Sequence, residues 1–296
     1  MKKALDLKEI KDSWLYETYH AFTKNKSAVL GFGIIACLLL SALFAPILAP
    51  RSPIEQNLEK KLLPPIWSNT GEWPHVLGTD DFGRDLLSRI IYGARISILI
   101  GLISVGIGVG TGIFLGSIAG FYAGTIDAII MLMVNILLSL PAILLAIVVV
   151  SMLGPSLENT MIAIGLVNLP LYIRLVRASV LQEKQKEYVI ASRLCGSSSV
   201  RLMFIVILPN CMGPIIVQAT MGFASAILEA AGLSFLGLGA QPPTPEWGAM
   251  LCDSIQFLHR APWIIVFPGM AIFFSVLGFN LIGDGLMDLL DPKAKD

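Results

Sequence analysis

The chain has 296 residues, of which 55% are hydrophobic and 14% are charged, and its formal net charge is zero. Its mean hydropathy is +0.76. The length alone is compatible with about two soluble domains, but charge-free runs long enough to cross a bilayer exclude that class, and no nucleic-acid partner is expected.

Six runs lack Asp, Glu, Lys and Arg. They are Ser27–Ala49, Ile96–Ile126, Ala128–Leu157, Asn159–Ile173, Leu202–Leu228 and Ala261–Gly283. A helix needs ~20 apolar residues to cross the hydrocarbon core. The runs do not alternate polar and apolar residues, so a barrel is not expected. The fourth run is short, and we extend it to a span over Leu157–Val176, because arginines at a helix end can reach the headgroups.

The sequence therefore predicts an all-α integral membrane protein with six transmembrane helices and both termini on one side. Fourteen of the 21 Lys and Arg residues lie before residue 27, around the central loop and in the tail. These parts are expected to be cytoplasmic, because loops rich in Lys and Arg stay inside.

The predicted organisation follows from these spans. It consists of a cytoplasmic segment 1–26, a first span 27–49, an external loop 50–95, a core 96–290 that contains spans two to six and a cytoplasmic loop 177–208, and a cytoplasmic tail 291–296. The segment 1–26 is either an amphipathic helix on the inner membrane surface or a partly ordered tail.

Glycines recur every four residues in the second run. They are Gly108, Gly112, Gly116 and Gly120. This spacing places them on one helix face, where another helix can approach closely. We interpret the face as tight packing, within the chain or against a second subunit, and not as a ligand site. Pro141 and Pro170 are expected to kink their spans, with a hinge as the alternative role.

The stretch EYVIASRLCGSSSV, residues 187–200, interrupts the apolar sequence. Good helix formers over 184–195 predict a helix, and Gly196 suits a left-handed turn at its end. Ser198 or Ser199 can cap a second helix over 200–207. Pro209 is expected to end that helix before the fifth span begins.

One face of the first hairpin helix consists mostly of small side chains. Tyr188, Ala191, Ser192 and Cys195 share this face at i, i+3, i+4, i+7 spacing, with Glu187 one turn before Ala191. A shallow face with an aromatic residue at one end suits a groove on another protein. The alternative is a solvated connection between spans.

Sites for chemistry are not evident in the sequence. There is no G-x-x-x-x-G-K-[ST], HExxH or GxSxG motif, so the chain is not expected to be an enzyme or to bind ATP through a P-loop. The four cysteines are scattered, and neither a disulfide nor a metal site is expected. His20, His75 and His259 are far apart and are expected to be solvated.

Glu229 is the one candidate for an ionisable group inside a span. If the fifth span starts after Pro209, a rise of 1.5 Å per residue brings Glu229 close to the outer interface. It is therefore either an interfacial carboxylate or a residue that lines a gate.

The stretch ASRLCGSSSVRLMFIVILPN resembles the "EAA" loop of bacterial ABC-importer permeases. The Ala-Ala-x-x-x-Gly core of that loop corresponds to Ala191, Ser192 and Gly196, and its closing Leu-Pro to Leu208 and Pro209. This chain departs from the pattern at Ser192 and in the glutamate, which is Glu187 and does not adjoin Ala191.

Three further segments narrow the resemblance to permeases of the dipeptide/oligopeptide/nickel family. They are LGTDDFGRDLLSRIIYGARIS (Leu77–Ser97), LSFLGLGAQPPTPEWG (Leu233–Gly248) and FNLIGDGLMDLLDPK (Phe279–Lys293). The pattern is most like the second, C-type permease of dipeptide systems. A charged pair that the family commonly has in span three is replaced here by Leu132 and Asn135, which puts any gating role of that pair in doubt.

The resemblance implies a type I ABC-importer permease in the bacterial cytoplasmic membrane that forms half of a translocation pore. It implies a second permease subunit, two cytoplasmic ATPases that bind ATP and Mg²⁺, and an external substrate-binding protein, with no cofactor in this chain. The loop from Glu187 to Pro209 would couple the spans to the ATPases.

Two matters stay open on the sequence. The rival class is a self-sufficient channel or secondary carrier, which would need polar groups in the pore or an inverted repeat. Relatives with these motifs carry dipeptides, longer peptides, glutathione, haem or nickel chelates, so the resemblance does not name the substrate.

Overall fold

The structure, a computed structural model, describes residues 25–290; the rest of segment 1–26 and the tail 291–296 lie outside the described residues. The helices are α1 (Lys26–Leu43), α2 (Ala45–Leu48), α3 (Leu86–Tyr122), α4 (Gly124–Leu138), α5 (Ala142–Leu153), α6 (Leu157–Glu183), α7 (Glu187–Leu194), α8 (Ser199–Arg201), α9 (Met212–Phe235), α10 (Trp247–Ser254) and α11 (Trp263–Leu290). The described part contains no strand, only an isolated β-bridge between Thr79 and Asp85.

Within residues 25–290, five helical stretches are long and apolar enough to cross a membrane. They are α1, α3, α6, the stretch Ser199–Phe235 and α11, and the bent pair α4 and α5 makes a sixth if it is one span. The Asn25 side-chain amide donates to the Asp288 carboxylate at 2.9 Å. The start of the first span and the end of the last therefore lie at the same membrane face. We call this face the hairpin side and the opposite face the loop side.

Polar side chains set where the long helices begin. Asn25 accepts hydrogen bonds from the backbone N–H groups of the first turn of α1, and Ser156 does so for α6. Asp85 accepts from the backbone N–H of Ser88 at 2.8 Å. Such caps satisfy donors that have no partner within the helix, so these sequence positions determine the helix starts.

The second span begins earlier and ends sooner than the charge-free run Ile96–Ile126. Helix α3 has 37 residues and is about 55 Å long at 1.5 Å per residue. Its first turns carry Arg89, which is buried, and Arg95, which donates to the carbonyl oxygens of Ala42 and Leu43 at the end of α1. The helix stops at Tyr122 because Ala123 and Gly124 have φ of +57° and +62°, a conformation that ends a right-handed helix.

The third span is not one kinked helix. Helices α4 and α5 are separated at Ser139–Pro141 and meet at 91°. Pro141 lacks an N–H group and has an extended backbone at φ −56° and ψ 134°, so it starts α5 afresh instead of continuing α4. Pro170, in contrast, lies inside the continuous helix α6.

The core of the bundle is the contact between α3 and α6. Helix α9 packs against α3, α6 and α11, while α1 lies on the outside against α11 and α3. Buried residues of α3, α6 and α9 form one apolar cluster that includes Ile100, Ile164, Tyr172 and Ala226. The contacts of α4 and α5 are fewer, and most of their large apolar side chains are exposed.

A cap of buried charges closes the loop side. Arg84 binds Asp80 at 2.6 Å, and Arg89 donates to the carbonyl oxygens of Pro53 and Pro243 at 3.1 and 3.3 Å. His75 was expected to be solvated, which is wrong: it is 5% exposed, and its Nδ1 lies 2.9 Å from the Asp85 carboxylate. The loop before α3 folds back over the helix end and places His75 beside the capping Asp85.

Candidate coupling loop and membrane interior

The first helix of the hairpin ends as the sequence predicts. Helix α7 runs from Glu187 to Leu194, and Gly196 has φ of +83°. The backbone N–H of Ser197 donates to Ser192 at 3.2 Å, and that of Gly196 donates to Arg193 at 3.0 Å. These two bonds form a Schellman motif, which satisfies carbonyls at the helix end and favours glycine at the left-handed position.

The second helix of the hairpin does not end at Pro209. Ser198 caps α8 through the backbone N–H of Arg201 at 3.4 Å. The backbone then continues through a π-helical turn (Leu202–Ile207) and a 3₁₀ turn (Leu208–Cys211) into α9. The π turn widens the helix just before Pro209, so the proline ring does not collide with the preceding turn. The hairpin is therefore joined to the fifth span without a break.

The small face of α7 is exposed. Ala191 and Cys195 are exposed, Tyr188 is partly exposed, and Ser192 is half-buried with its hydroxyl 3.0 Å from that of Ser197. Glu187 is also exposed. The side of α7 that packs against the protein carries Val189, which is 0% exposed and lies in a cluster with residues of α6 and the π turn. Helix α7 is thus held by one face while the other is free.

Exposed apolar side chains surround this face, and the sequence interpretation missed them. Ile190 is 50% exposed and Leu194 is 83% exposed, one turn apart on α7; Val200 and Ile205 are exposed on the second arm. The i, i+4 spacing of Ile190 and Leu194 was a signal in the sequence, because exposed apolar patches mark contact surfaces. We call Ile190, Ala191, Leu194 and Cys195 the coupling face.

Polar contacts fix the hairpin to the bundle. The Lys184 ammonium donates to the Phe121 carbonyl oxygen at the end of α3, and the Tyr188 hydroxyl donates to Glu183 at the end of α6. Lys186 pairs with Glu183 at 2.7 Å. Burial lowers the pKa of Lys184 and, together with the bond to Glu183, raises that of Tyr188. The hairpin therefore moves with α3 and α6. Leu208 is half-buried and Pro209 is exposed at its far end.

The glycine face of α3 packs against α6 of the same chain. A Cβ at Gly112 would lie 2.4 Å from Tyr172 Cβ, and Gly108 faces the same tyrosine. Gly116 and Gly120 lie against Val176 and Val180 in the same way. Because no side chain fits at these positions, the glycines allow the close approach of α3 and α6.

Helix α4 is tied to α6 by polar groups near the hairpin side. Arg177 pairs with Asp127 through two bonds of 2.5 and 2.6 Å, and Arg174 donates to Asn135 at 2.8 Å. Leu132, the other position where the family commonly has a charge, is exposed. Asn135 thus retains a polar contact. Opposite charges at the ends of neighbouring spans were the signal for the Asp127 pair.

Glu229 lies on α9 and contacts a residue in the first half of α6. Its carboxylate accepts a hydrogen bond from the Asn168 amide at 2.8 Å. Asn168 lies about 16 Å along α6 from Leu157 at 1.5 Å per residue. Glu229 itself lies about 9 Å before the loop-side end of α9 at Phe235 at the same rise, so its role as an interfacial carboxylate or as a gate residue stays a prediction.

A cavity of ≈ 230 Å³ adjoins Glu229. Its wall is built from the first turns of α5 (Ala142, Ile143 and Ala146), from Val167 of α6 and from Leu228, Gly232 and Leu233 of α9. Glu229 is the one charged residue among these lining residues. The cavity therefore places a carboxylate against an apolar wall next to the break between α4 and α5.

Comparison with family models decides the class of the protein. Residues 112–296 match the model of the binding-protein-dependent transport system inner membrane component, and residues 13–65 match the N-terminal transmembrane domain of oligopeptide transport permease C. The chain belongs to the binding-protein-dependent permease family. It is a multi-pass protein of the bacterial inner membrane, and the prediction of an ABC-importer permease is confirmed.

Curated relatives of this permease match over nearly its whole length. A dipeptide transport system permease protein of Escherichia coli is 56% identical over 95% of this chain and 94% of its own. A di/tripeptide transport system permease protein of Pseudomonas aeruginosa is 51% identical over 95% and 93%. A glutathione transport system permease protein of Salmonella paratyphi A is 44% identical over 97% and 93%.

A solved structure shares the fold. A chain of the inward-facing MetNI methionine ABC transporter superposes with a TM-score of 0.58 at 16% identity, over 70% of this permease and 98% of that chain. The permease therefore has the fold of type I ABC importers, as its sequence predicted.

Proposed function

We propose that the chain is one of two different pore-forming permease subunits of an ATP-driven dipeptide importer. The observation that carries this is the coupling face, an exposed apolar surface on a hairpin that is fixed to the spans. The relatives in dipeptide transport systems support the substrate class, since they match over more than nine-tenths of both chains. Glutathione, itself a small peptide, is the substrate named for a more distant relative.

The break between α4 and α5 supports a second permease subunit. Helix α4 is about 22 Å long and α5 about 18 Å at 1.5 Å per residue, so neither crosses a core of about 30 Å alone. The exposed backbone at Ser139–Pro141 therefore lies at membrane depth, where it must be covered by protein or face a water-filled cavity. A second permease across the pore supplies both conditions.

The coupling face is the site for a cytoplasmic ATPase. Ala191 and Gly196 keep the surface shallow, while Ile190 and Leu194 give it apolar area to bury. A groove on each ATPase would take one such hairpin. ATP and Mg²⁺ are bound by the ATPases, and this chain contributes no ATPase site or cofactor.

Energy then reaches the pore through fixed contacts. Closure of the ATPases would displace α7. Tyr188 connects this helix to the end of α6, and Lys184 connects the end of α6 to the end of α3. Because α3 and α6 pack through glycines without a gap, they would tilt as one body and expose the pore alternately to the two faces. The hairpin side is cytoplasmic in this proposal, and the loop side receives the substrate-binding protein.

Reconstitution tests the proposal. Proteoliposomes that contain this chain, the second permease and the ATPases should take up a dipeptide when its loaded binding protein and ATP are present. The isolated chain should not accumulate the dipeptide with ATP or with an ion gradient. Accumulation of the dipeptide by the isolated chain with a proton gradient alone would instead favour the hypothesis of a secondary carrier.

A further inference from the structure

Glu229 is a membrane-embedded carboxylate without a cationic partner among residues 25–290. Its one polar contact there is the Asn168 amide, a neutral group, and the ion pairs of the described residues do not include it. Ionisable groups inside a membrane are costly and usually mark a pathway or a partner. A cation that pairs with Glu229 must therefore come from outside the described part of this chain.

The surroundings of Glu229 restrict what that cation can be. The carboxylate is partly exposed toward the ≈ 230 Å³ cavity, whose remaining lining is apolar or glycine. The cavity adjoins the start of α5, directly after the break at Pro141. A ligand there would meet one negative charge and an apolar wall that does not select among the ligand's side chains by their polarity.

We propose that Glu229 binds the N-terminal ammonium of the peptide during its passage. This inference rests on the proposed dipeptide importer and names the contact inside its pore. Dipeptides differ in their side chains but share an ammonium at one end, so a single carboxylate serves them all. The apolar wall tolerates the variable side chains, and the negative charge repels the peptide's own carboxylate. The ammonium end is therefore held at Glu229 while the carboxylate points away.

The Asn168 contact supports a role in orientation. Its amide donates to one carboxylate oxygen, which fixes the plane of the carboxylate and leaves the other oxygen free for an N–H donor. A single contact of this kind is also weak enough to release, as conduction through a pore requires.

The test uses the complete transporter in proteoliposomes with radiolabelled alanyl-alanine and its binding protein. Three variants are compared: Glu229→Gln, Glu229→Asp, and Glu158→Gln as a matched control that removes an exposed carboxylate at the loop-side start of α6. Uptake, ATP hydrolysis stimulated by the loaded binding protein, and co-purification of the second permease are measured together.

We expect Glu229→Gln to slow uptake at saturating binding protein by about tenfold or more, the effect of one charged hydrogen bond. Stimulated ATP hydrolysis and co-purification should stay at wild-type level. Glu229→Asp should keep part of the rate, and Glu158→Gln should behave as wild type. Uptake by Glu229→Gln within twofold of wild type would overturn the proposal. Loss of the second permease from this variant would overturn it as well, because the acid would then belong to an ion pair between subunits.

A second measurement leaves the protein unmutated. A hydrophobic carbodiimide couples a carboxylate to an amine in contact with it, with loss of water to the reagent. During turnover, it should join alanyl-alanine to Glu229 through an amide bond, detected by mass spectrometry of the peptide fragment. Reagent attached to Glu229 without any dipeptide adduct would contradict the contact. If the wild-type complex takes up no alanyl-alanine at all, the dipeptide function fails first, and the inference fails with it.

Discussion

The backbone N–H of Ser197 donates to the carbonyl oxygen of Ser192 at 3.2 Å, and this bond closes the chain around Gly196. The bond requires the positive φ of Gly196, and it turns the two arms of the hairpin so that α7 presents its small face. Among the described residues, a Cβ at Gly196 would meet nothing within 4 Å. Apart from the backbone strain at a positive φ, any steric effect of a substitution there must therefore arise from a partner.

Gly196→Asp should leave the permease inserted at normal level but weaken its binding to the ATPases. A residue with a Cβ at positive φ costs roughly 1 kcal/mol or more, which the bundle can tolerate, while a charge on an apolar docking surface is not tolerated by the partner. Co-purified ATPase and its substrate-stimulated hydrolysis should both fall. Ala191→Asp should act in the same way, and Arg193→Ala should matter much less. If the Gly196→Asp complex hydrolysed ATP at the wild-type rate, the hairpin would be only a connection between spans.

Cys195 should report the docking directly, since its thiol is exposed on the coupling face while Cys211 is buried. In the isolated permease, a maleimide that reaches the hairpin side should modify Cys195. In the assembled complex, the ATPase should cover the thiol and slow its modification by about tenfold or more, as expected where the local contact rarely opens. Equal labelling rates with and without ATPases would show that the partner lies elsewhere.

The orientation can be tested by cysteine labelling in intact cells. In a chain without its native cysteines, Ser68→Cys lies on the loop side and Gln185→Cys lies in the hairpin, and both positions are exposed. A membrane-impermeant thiol reagent should label residue 68 but not residue 185, because the loops rich in Lys and Arg are cytoplasmic. The reverse pattern would invert the topology.

The glycine face offers a matched pair of substitutions. Gly112→Leu should lower the amount of folded permease, because even a Cβ would lie 2.4 Å from Tyr172, and overpacking costs about 1–3 kcal/mol or more. Gly110→Leu, on the same helix, should be nearly neutral, since no residue that the structure describes lies within 4 Å of a Cβ there. Detergent-extracted monodisperse protein is the measurement. If Gly110→Leu had a severe effect and Gly112→Leu did not, the close contact of α3 would lie on the Gly110 face or would involve a partner.

Glu246, the buried residue that caps the start of α10 on the loop side, should make the stability of the protein depend on pH. Burial raises the pKa of its carboxyl above the ordinary value of 4.5, although the backbone N–H groups of Gly248 and Ala249 donate to it. Since the folded pKa is the higher one, folding binds the proton, and the stability from this group is lost as pH rises through the folded pKa. The melting temperature of Glu246→Gln minus that of wild type should therefore increase from pH 4.5 to pH 8. A decrease over that range would show that ionised Glu246 stabilises the cap.

Local sequence signals predicted the spans and the turn at Gly196 because those features depend on a few neighbouring residues. The 91° break between α4 and α5 was not predicted, because a proline within an apolar run is compatible with either a kinked helix or a complete break. The hydrogen bond between Glu229 and Asn168 joins residues 61 positions apart in sequence, so spacing along one helix does not predict it. The burial of His75 was missed for the same reason: its partner Asp85 reaches it through the fold of the loop and not through spacing along an element.

The length of α3 has a mechanical consequence. One end of this helix is capped by Asp85 within the charged loop-side cap, and the other meets the hairpin where Lys184 binds the Phe121 carbonyl. A rod of about 55 Å that turns by about 10° around its middle carries each end about 5 Å in opposite directions. If helix α3 pivots as a rigid body, its two ends therefore move in opposite directions at the two faces of the bilayer. If the proposed partners bind at its two ends, a displacement imposed by the binding protein on the loop side would be transmitted to the hairpin side, and the reverse would hold for a displacement imposed by the ATPases.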